Sequence, residues 1–248
     1  MTERQEEPGP GEAEPRDFPP AAAPEGAPAD PSYRAGAIDL LGLLAYGELA
    51  AFDRLAEDAQ SAPDLPAKIH MVTMAAAQVD YFERVRDRLA VFGVDVIDAM
   101  RPFHAAFDAF HDFTRPKDWY EGLVKAYVGD GIAADFYREV SAFVDADTRA
   151  LVYEVLADHG HGEFVIDQVR AGIEADPKLG GRLALWGRRL VGEALSQAQR
   201  VAAEREALTG LLTGTSDRPG LDLAAVSRMF SRLVANHTKR MAELGLQA

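Results

Sequence analysis

Four long stretches of this chain repeat apolar residues at the alternating three- and four-residue spacing of one helix face, and each face is interrupted near its middle by a polar side chain. In 33–58 the face Leu41, Leu44, Ala51, Leu55 passes through Glu48, and in 66–92 the face Met71, Met74, Val85, Leu89 passes through Gln78 and Tyr81. In 119–144 the face Leu123, Tyr127, Ala134, Tyr137, Val144 passes through Asp130. In 147–176 the face Leu151, Val155, Gly162, Val165, Val169, Gly172 passes through Asp158, with His161 one turn further on. Burying a carboxylate costs several kcal/mol unless it is protonated, paired or metal-bound. Four interruptions at similar depth therefore predict one polar site inside a helical bundle, with Asp158 and His161 converging as a pair of metal-competent side chains.

No stretch alternates as a half-buried strand does, so the fold class is all-α. Residues 1–32 are rich in Pro, Ala, Glu and Gly and hold eight acidic side chains against two arginines; they read as a disordered acidic leader before a single domain over 33–248. The first helix closes at Pro63 and Pro66, Asp64 caps the second, and Phe92-Gly93 ends it. Residues 94–114 are too long for a turn and carry Ile97, Met100, Phe103, Phe107 and Phe110 at helical spacing, which predicts a short helix inside a long crossover. A third helix runs from Pro116 to Asp145. A fourth, capped by Asp147 or Asp145, runs unbroken to Asp176. A fifth spans 178–211 with Glu193 inside its apolar stripe, and its Arg188, Arg189, Arg200 and Arg205 read as a wetted face. A loop at 213–221 precedes a last helix over 222–244.

The chain has no cysteine, which excludes disulfides, thiolate chemistry and Cys-ligated metal centres and fits a cytoplasmic protein. No run of eighteen apolar residues and no positive leader is present, so neither a membrane span nor a signal peptide is expected. The formal charge of -14 lowers the expectation of nonspecific nucleic-acid binding. Gly-x-Gly-x-x-Gly, P-loop, Gly-x-Ser-x-Gly and His-Glu-x-x-His motifs are all absent. His70, His104, His111 and His237 have no carboxylate arrangement that singles them out.

Helix pair, long crossover, helix pair is also the order of a ferritin-like bundle. GELAAFDRLAEDA resembles the first helix of that superfamily, with Glu48 in the metal-binding position. MAAAQVDYFERVRDRL resembles the second, with Gln78 and Tyr81 where a Glu-x-x-His pair is expected. LADHGHGEF resembles the fourth, with Asp158 standing for the Glu and His161 matching the His. In YVGDGIAADFY the expected Glu falls near Ala133, and Asp130 lies about one turn earlier. The chain resembles the diiron hydroxylases that modify 2-methylthio-isopentenyladenosine in tRNA and actinobacterial ferritin-like proteins of unassigned activity.

That resemblance implies an oxygen-dependent diiron centre, but one of its two histidines is missing and Gln78 is neutral. Two readings stand side by side. In the first, Glu48, Asp130, Asp158 and His161 are metal ligands, either of iron in an oxygen-dependent hydroxylase resembling the tRNA-modifying enzymes, the one case that admits nucleic acid as substrate, or of a single iron, manganese or zinc ion in a metal-binding protein. Alternatively they close with Gln78 and Tyr81 into a hydrogen-bond network without metal, Glu193 supporting from behind, in a scaffold that serves as a structural or interaction protein. The aromatic face of the crossover, Phe103, Phe107 and Phe110, predicts a homodimer that covers it.

Overall fold

The computed structural model describes residues 30–157, 161–215 and 218–248; the leader up to residue 29 lies outside the described residues. Ten α-helices follow in order: α1 (Pro31–Asp58), α2 (Leu65–Val91), α3 (Val96–Met100), α4 (His104–Phe113), α5 (Trp119–Ser141), α6 (Ala146–Val155), α7 (His161–Ala175), α8 (Pro177–Glu204), α9 (Glu206–Thr213) and α10 (Leu223–Glu243). Helix α1 forms a hairpin with α2, α5 packs between α1 and α8, and α6 and α7 lie against α5. At the C-terminal side α9 packs on α1, and α10 packs on α5 and α8. The expected loop at 213–221 contains a two-residue antiparallel pair, Gly214–Thr215 with Arg218–Pro219, the one strand pairing among the described residues.

Aspartates set most of the helix starts. Asp30, Asp64, Asp95, Asp118, Asp145, Asp176 and Asp222 each accept a hydrogen bond from a backbone N–H in the first turn of the helix that follows. A cap of this kind typically contributes about 1 kcal/mol. Helix α2 ends as its sequence predicts: Gly93 takes a positive φ of 67°, and Gly93 and Val94 donate their N–H groups to the carbonyls of Ala90 and Leu89. The cap of α6 is Asp145, and it does more than cap. It accepts from Thr148 N (2.9 Å), Tyr33 Oη (2.8 Å) and Arg88 Nη2 (2.6 Å), tying α1, α2 and α6 together. Burial works against its charge, but the bonds from Thr148 and Tyr33 and the Arg88 guanidinium hold its carboxyl below the usual range.

Three expectations are corrected here. The fourth limb is two helices, because α6 ends at Val155 and α7 begins at His161. The Leu156 carbonyl, one residue past the end of α6, is taken by Arg138 Nη2 at 2.7 Å. The fifth helix likewise stops at Glu204, and Arg205 at the junction with α9 turns inward to chelate Asp39, which is only 4 % exposed, through Nε (3.1 Å) and Nη2 (2.5 Å). The aromatic side of the crossover also faces inward: Phe103 is fully buried, and Phe107 and Phe110 pack against the core.

The core falls into two apolar clusters. One gathers the N-terminal half of α1, the C-terminal half of α2 and the C-terminal half of α5 around Leu40, Leu44, Val85, Leu89, Phe103 and Val140. The other gathers the opposite halves of the same helices around Leu55, Met71, Leu123, Val128, Val165 and Leu190. Val155 at the end of α6 belongs to the first and Val165 in α7 to the second, so the interruption of the fourth limb falls between them. Among the described residues, the stretch 31–61 alone has the length and apolar composition to cross a membrane; in this fold 56 % of that window is buried, as a core helix.

Candidate functional site in the central cavity

A cavity of about 390 Å3 opens between the two clusters. Glu48 reaches it from α1, Gln78 and Tyr81 from α2, Asp130 from α5 and His161 from the start of α7, so five of the residues singled out in the sequence share one space. Asp158 lies outside the described residues, and Glu193 on α8 is not part of the lining. Gln78 turns back onto its own helix, donating from Nε2 to the Met74 carbonyl at 3.3 Å. Neither Glu48 nor Asp130 makes a hydrogen bond or ion pair with any described residue.

Their protonation follows from that position. Glu48 is only 8 % exposed, and burial, then the negative charge of Asp130, pushes its carboxyl up to about 8. Asp130 is solvent-accessible through the cavity, yet helices crowd round it; that crowding raises its carboxyl to about 7, with Lys125 opposing and Asp58 adding. Tyr81 is raised by burial and then by Glu48, and Tyr137, fully enclosed between the two carboxylates and the first cluster, is raised further for the same reasons.

Six ionisable lining residues were not singled out from the sequence: Arg54, Asp58, His111, Lys125, Arg138 and Arg240. Burial lifts Asp58 to about 6 while Lys125 pulls it down. Burial, then Arg54, lowers Lys125 to about 8 against the pull of Asp58 and Asp130; its Nζ donates to the Thr114 carbonyl at 2.8 Å and stands 5.5 Å from the Phe110 ring centre. His111 is driven down to about 3 by burial and by the Lys125 and Arg54 charges, and both its ring nitrogens are buried without a partner among the described residues. The signals were present. Asp58 continues the Glu48–Leu55 face by three residues, His111 follows Phe107 by one turn, and Lys125 interrupts the apolar run of LVKAYV. His70, set aside in the sequence, stacks on Phe164 (3.8 Å) and meets the His161 ring edge-on at 5.6 Å.

The cavity can therefore hold and exchange protons near neutral pH, and its two acceptor groups lack protein donors among the described residues. Among those residues no group of three or more His, Asp or Glu side chains is arranged to hold a metal ion.

An all-helical ferritin-like core with extra C-terminal helices, enclosing a polar cavity where its long helices meet, is the class of protein these features define. Residues 31–215 match the family described as "Ferritin-like domain, actinomycetes", and the chain belongs to that family. Among curated proteins none matches it.

Proposed function

We propose that this chain is a ferritin-like scaffold with a degenerate diiron site, acting as a structural or interaction protein. The observation that carries the reading is on α2: the residues facing the cavity there are Gln78, a neutral amide bonded to its own helix, and Tyr81, and neither supplies the bridging carboxylate or imidazole that two irons need. Protein purified without chelator is expected to carry at most one metal ion per chain by elemental analysis. A reproducible two irons per chain would overturn the scaffold reading in favour of an oxygen-dependent hydroxylase like those that modify tRNA.

A single-ion reading keeps one specific support: Glu48, Asp130 and His161 line the same cavity, and Asp158 precedes His161 by three residues. Iron, manganese or zinc suits such oxygen and nitrogen donors.

For the interaction role we assign a homodimer, on a different surface from the crossover. Leu65, Ile69, Val72 and Val79 are exposed on α2 at a spacing that places them in one stripe. Light scattering is expected to give a dimer for the wild type and a monomer for Ile69→Lys; a wild-type monomer across a wide concentration range removes the assignment.

A further inference from the structure

Phe107, Phe110, Gly129, Ala133 and Tyr137 are walls of the polar cavity and also of a second one, about 200 Å3, enclosed by α4, α5, α8, α9 and α10. The lining of this second chamber is almost wholly apolar, from Leu43, Phe136, Val201, Leu212 and Phe230 among others. Water has little to bond there, so the chamber suits an apolar body.

On the other side of the shared wall stands Glu48, more than nine-tenths buried and without a bonding partner among the described residues, with the Asp130 carboxylate open to the same space. The four cations lining the same space are engaged elsewhere as well, although the charge of Lys125 also acts on Asp130. Lys125 is bonded to the Thr114 carbonyl, Arg138 to the Leu156 carbonyl, Arg54 to Glu57 and Arg240 to Asp135. Gly47, beside Glu48, is packed so closely that an added Cβ would meet the Tyr137 hydroxyl at 2.9 Å and Phe107 at 3.6 Å, which places the Glu48 backbone at the shared wall. The demands of the two chambers are thus a head that brings positive charge and N–H donors, and a body that wants no water.

We propose that the two adjoining cavities together bind an amphipathic primary amine, its ammonium group between Glu48 and Asp130 and its apolar chain passing Phe107 and Tyr137 into the second chamber. An ammonium supplies three donors and a charge to two carboxylates that lack protein hydrogen-bond donors among the described residues, and the aromatic walls favour a cation over a neutral head. An alcohol supplies one donor and no charge, and a fatty carboxylate meets two like groups. The inference rests on the scaffold reading, since a resident pair of metal ions would take the same carboxylates.

The test uses the full-length chain with metal content measured first, and octylamine, octanol, octanoate and ethylamine as probes in equilibrium dialysis below their aggregation limits. Octylamine is expected to bind saturably at one per chain, about tenfold or more tighter than octanol or ethylamine, with no saturable octanoate. Glu48→Gln is expected to weaken octylamine by about tenfold or more, since a neutral amide cannot pair with the buried ammonium. Ala198→Leu, which fills the apolar chamber and leaves the carboxylates alone, is expected to weaken octylamine without changing ethylamine, and it carries the test if Glu48→Gln does not fold. Equal binding of octanol or octanoate, or octylamine binding untouched by either substitution, overturns the proposal. Metal-free protein that binds no octylamine sinks this inference alone, whereas two irons per chain sink the scaffold reading beneath it.

Discussion

Phe103 and Glu48 are both core residues of this bundle, yet one is held by shape and the other by its charge state. Phe103 is fully buried in the first apolar cluster, where neighbours from several helices surround it. Glu48 is nearly as buried, but it borders an open space and meets no hydrogen-bond partner among the described residues. The contribution of the first does not change with solution conditions. That of the second does, so the polar layer is where pH and ligands can act on a fold that is otherwise closed.

The largest effect should fall on the apolar side. Phe103→Ala is expected to cost about 3–5 kcal/mol in urea unfolding, by about the same amount at pH 5 and pH 8. A strong pH dependence of that loss would mean that the clusters and the layer are not separable.

Glu48→Gln should behave in the opposite way. The folded group titrates near 8 and the unfolded one near its ordinary 4.5, so between those values the unfolded state releases a proton that the native state keeps. Wild-type stability from this group is fully present below the unfolded value, falls as pH rises through the window, and levels off above 8. Glutamine carries no such penalty, so the variant should match the wild type near pH 5 and exceed it by a few kcal/mol, as an order of magnitude, near pH 8. The contrast with Phe103 fails if the difference between variant and wild type is the same at both ends. Lys125→Met sets a further check on sign only: the lysine is lowered to about 8, so its burial penalty is present below that value and relieved between it and 10.5.

The smallest effect concerns metal. Under the scaffold reading, wild type and the double variant Asp158→Asn, His161→Gln should melt within a few degrees of each other, with or without chelator. A chelator-sensitive wild type beside an insensitive double variant would raise the single-ion reading, because an ion bound only to the native state stabilises it by mass action.

Much of this arrangement was legible beforehand because helix periodicity is a strong signal and polar interruptions in it are rare. Glu48, Gln78, Tyr81, Asp130 and His161 were placed on the right faces, and all five meet at one cavity. The fourth limb misled because its apolar spacing continues past Leu156 and Ala157, where α6 has already ended, as if the helix did too; periodicity records which face is buried, not whether the backbone bonds are made. Asp58 and Lys125 were missed for a different reason. Each stands beside apolar residues near a helix end or inside a short run, where a charged side chain more often reaches solvent; here Asp58 faces Gly122 of α5, and Lys125 lies against Phe110 and the Thr114 carbonyl at the end of α4. Phe107 and Phe110 misled in the same way, since spacing shows an apolar face without showing what covers it.

The interruption between α6 and α7 also bears on how the chain reaches its structure. Isolated helices shorter than about 12–15 residues are marginal in water, and α6 has 10 residues and α7 has 15. Helices α1 and α2, at 28 and 27 residues joined by a short turn, contact residues close in sequence and can nucleate early. The fourth limb has no comparable head start. It has to condense in two pieces, α6 docking through Asp145 onto Tyr33 and Arg88 and α7 onto α5 and α8, and the polar cavity becomes a cavity only when the second piece arrives.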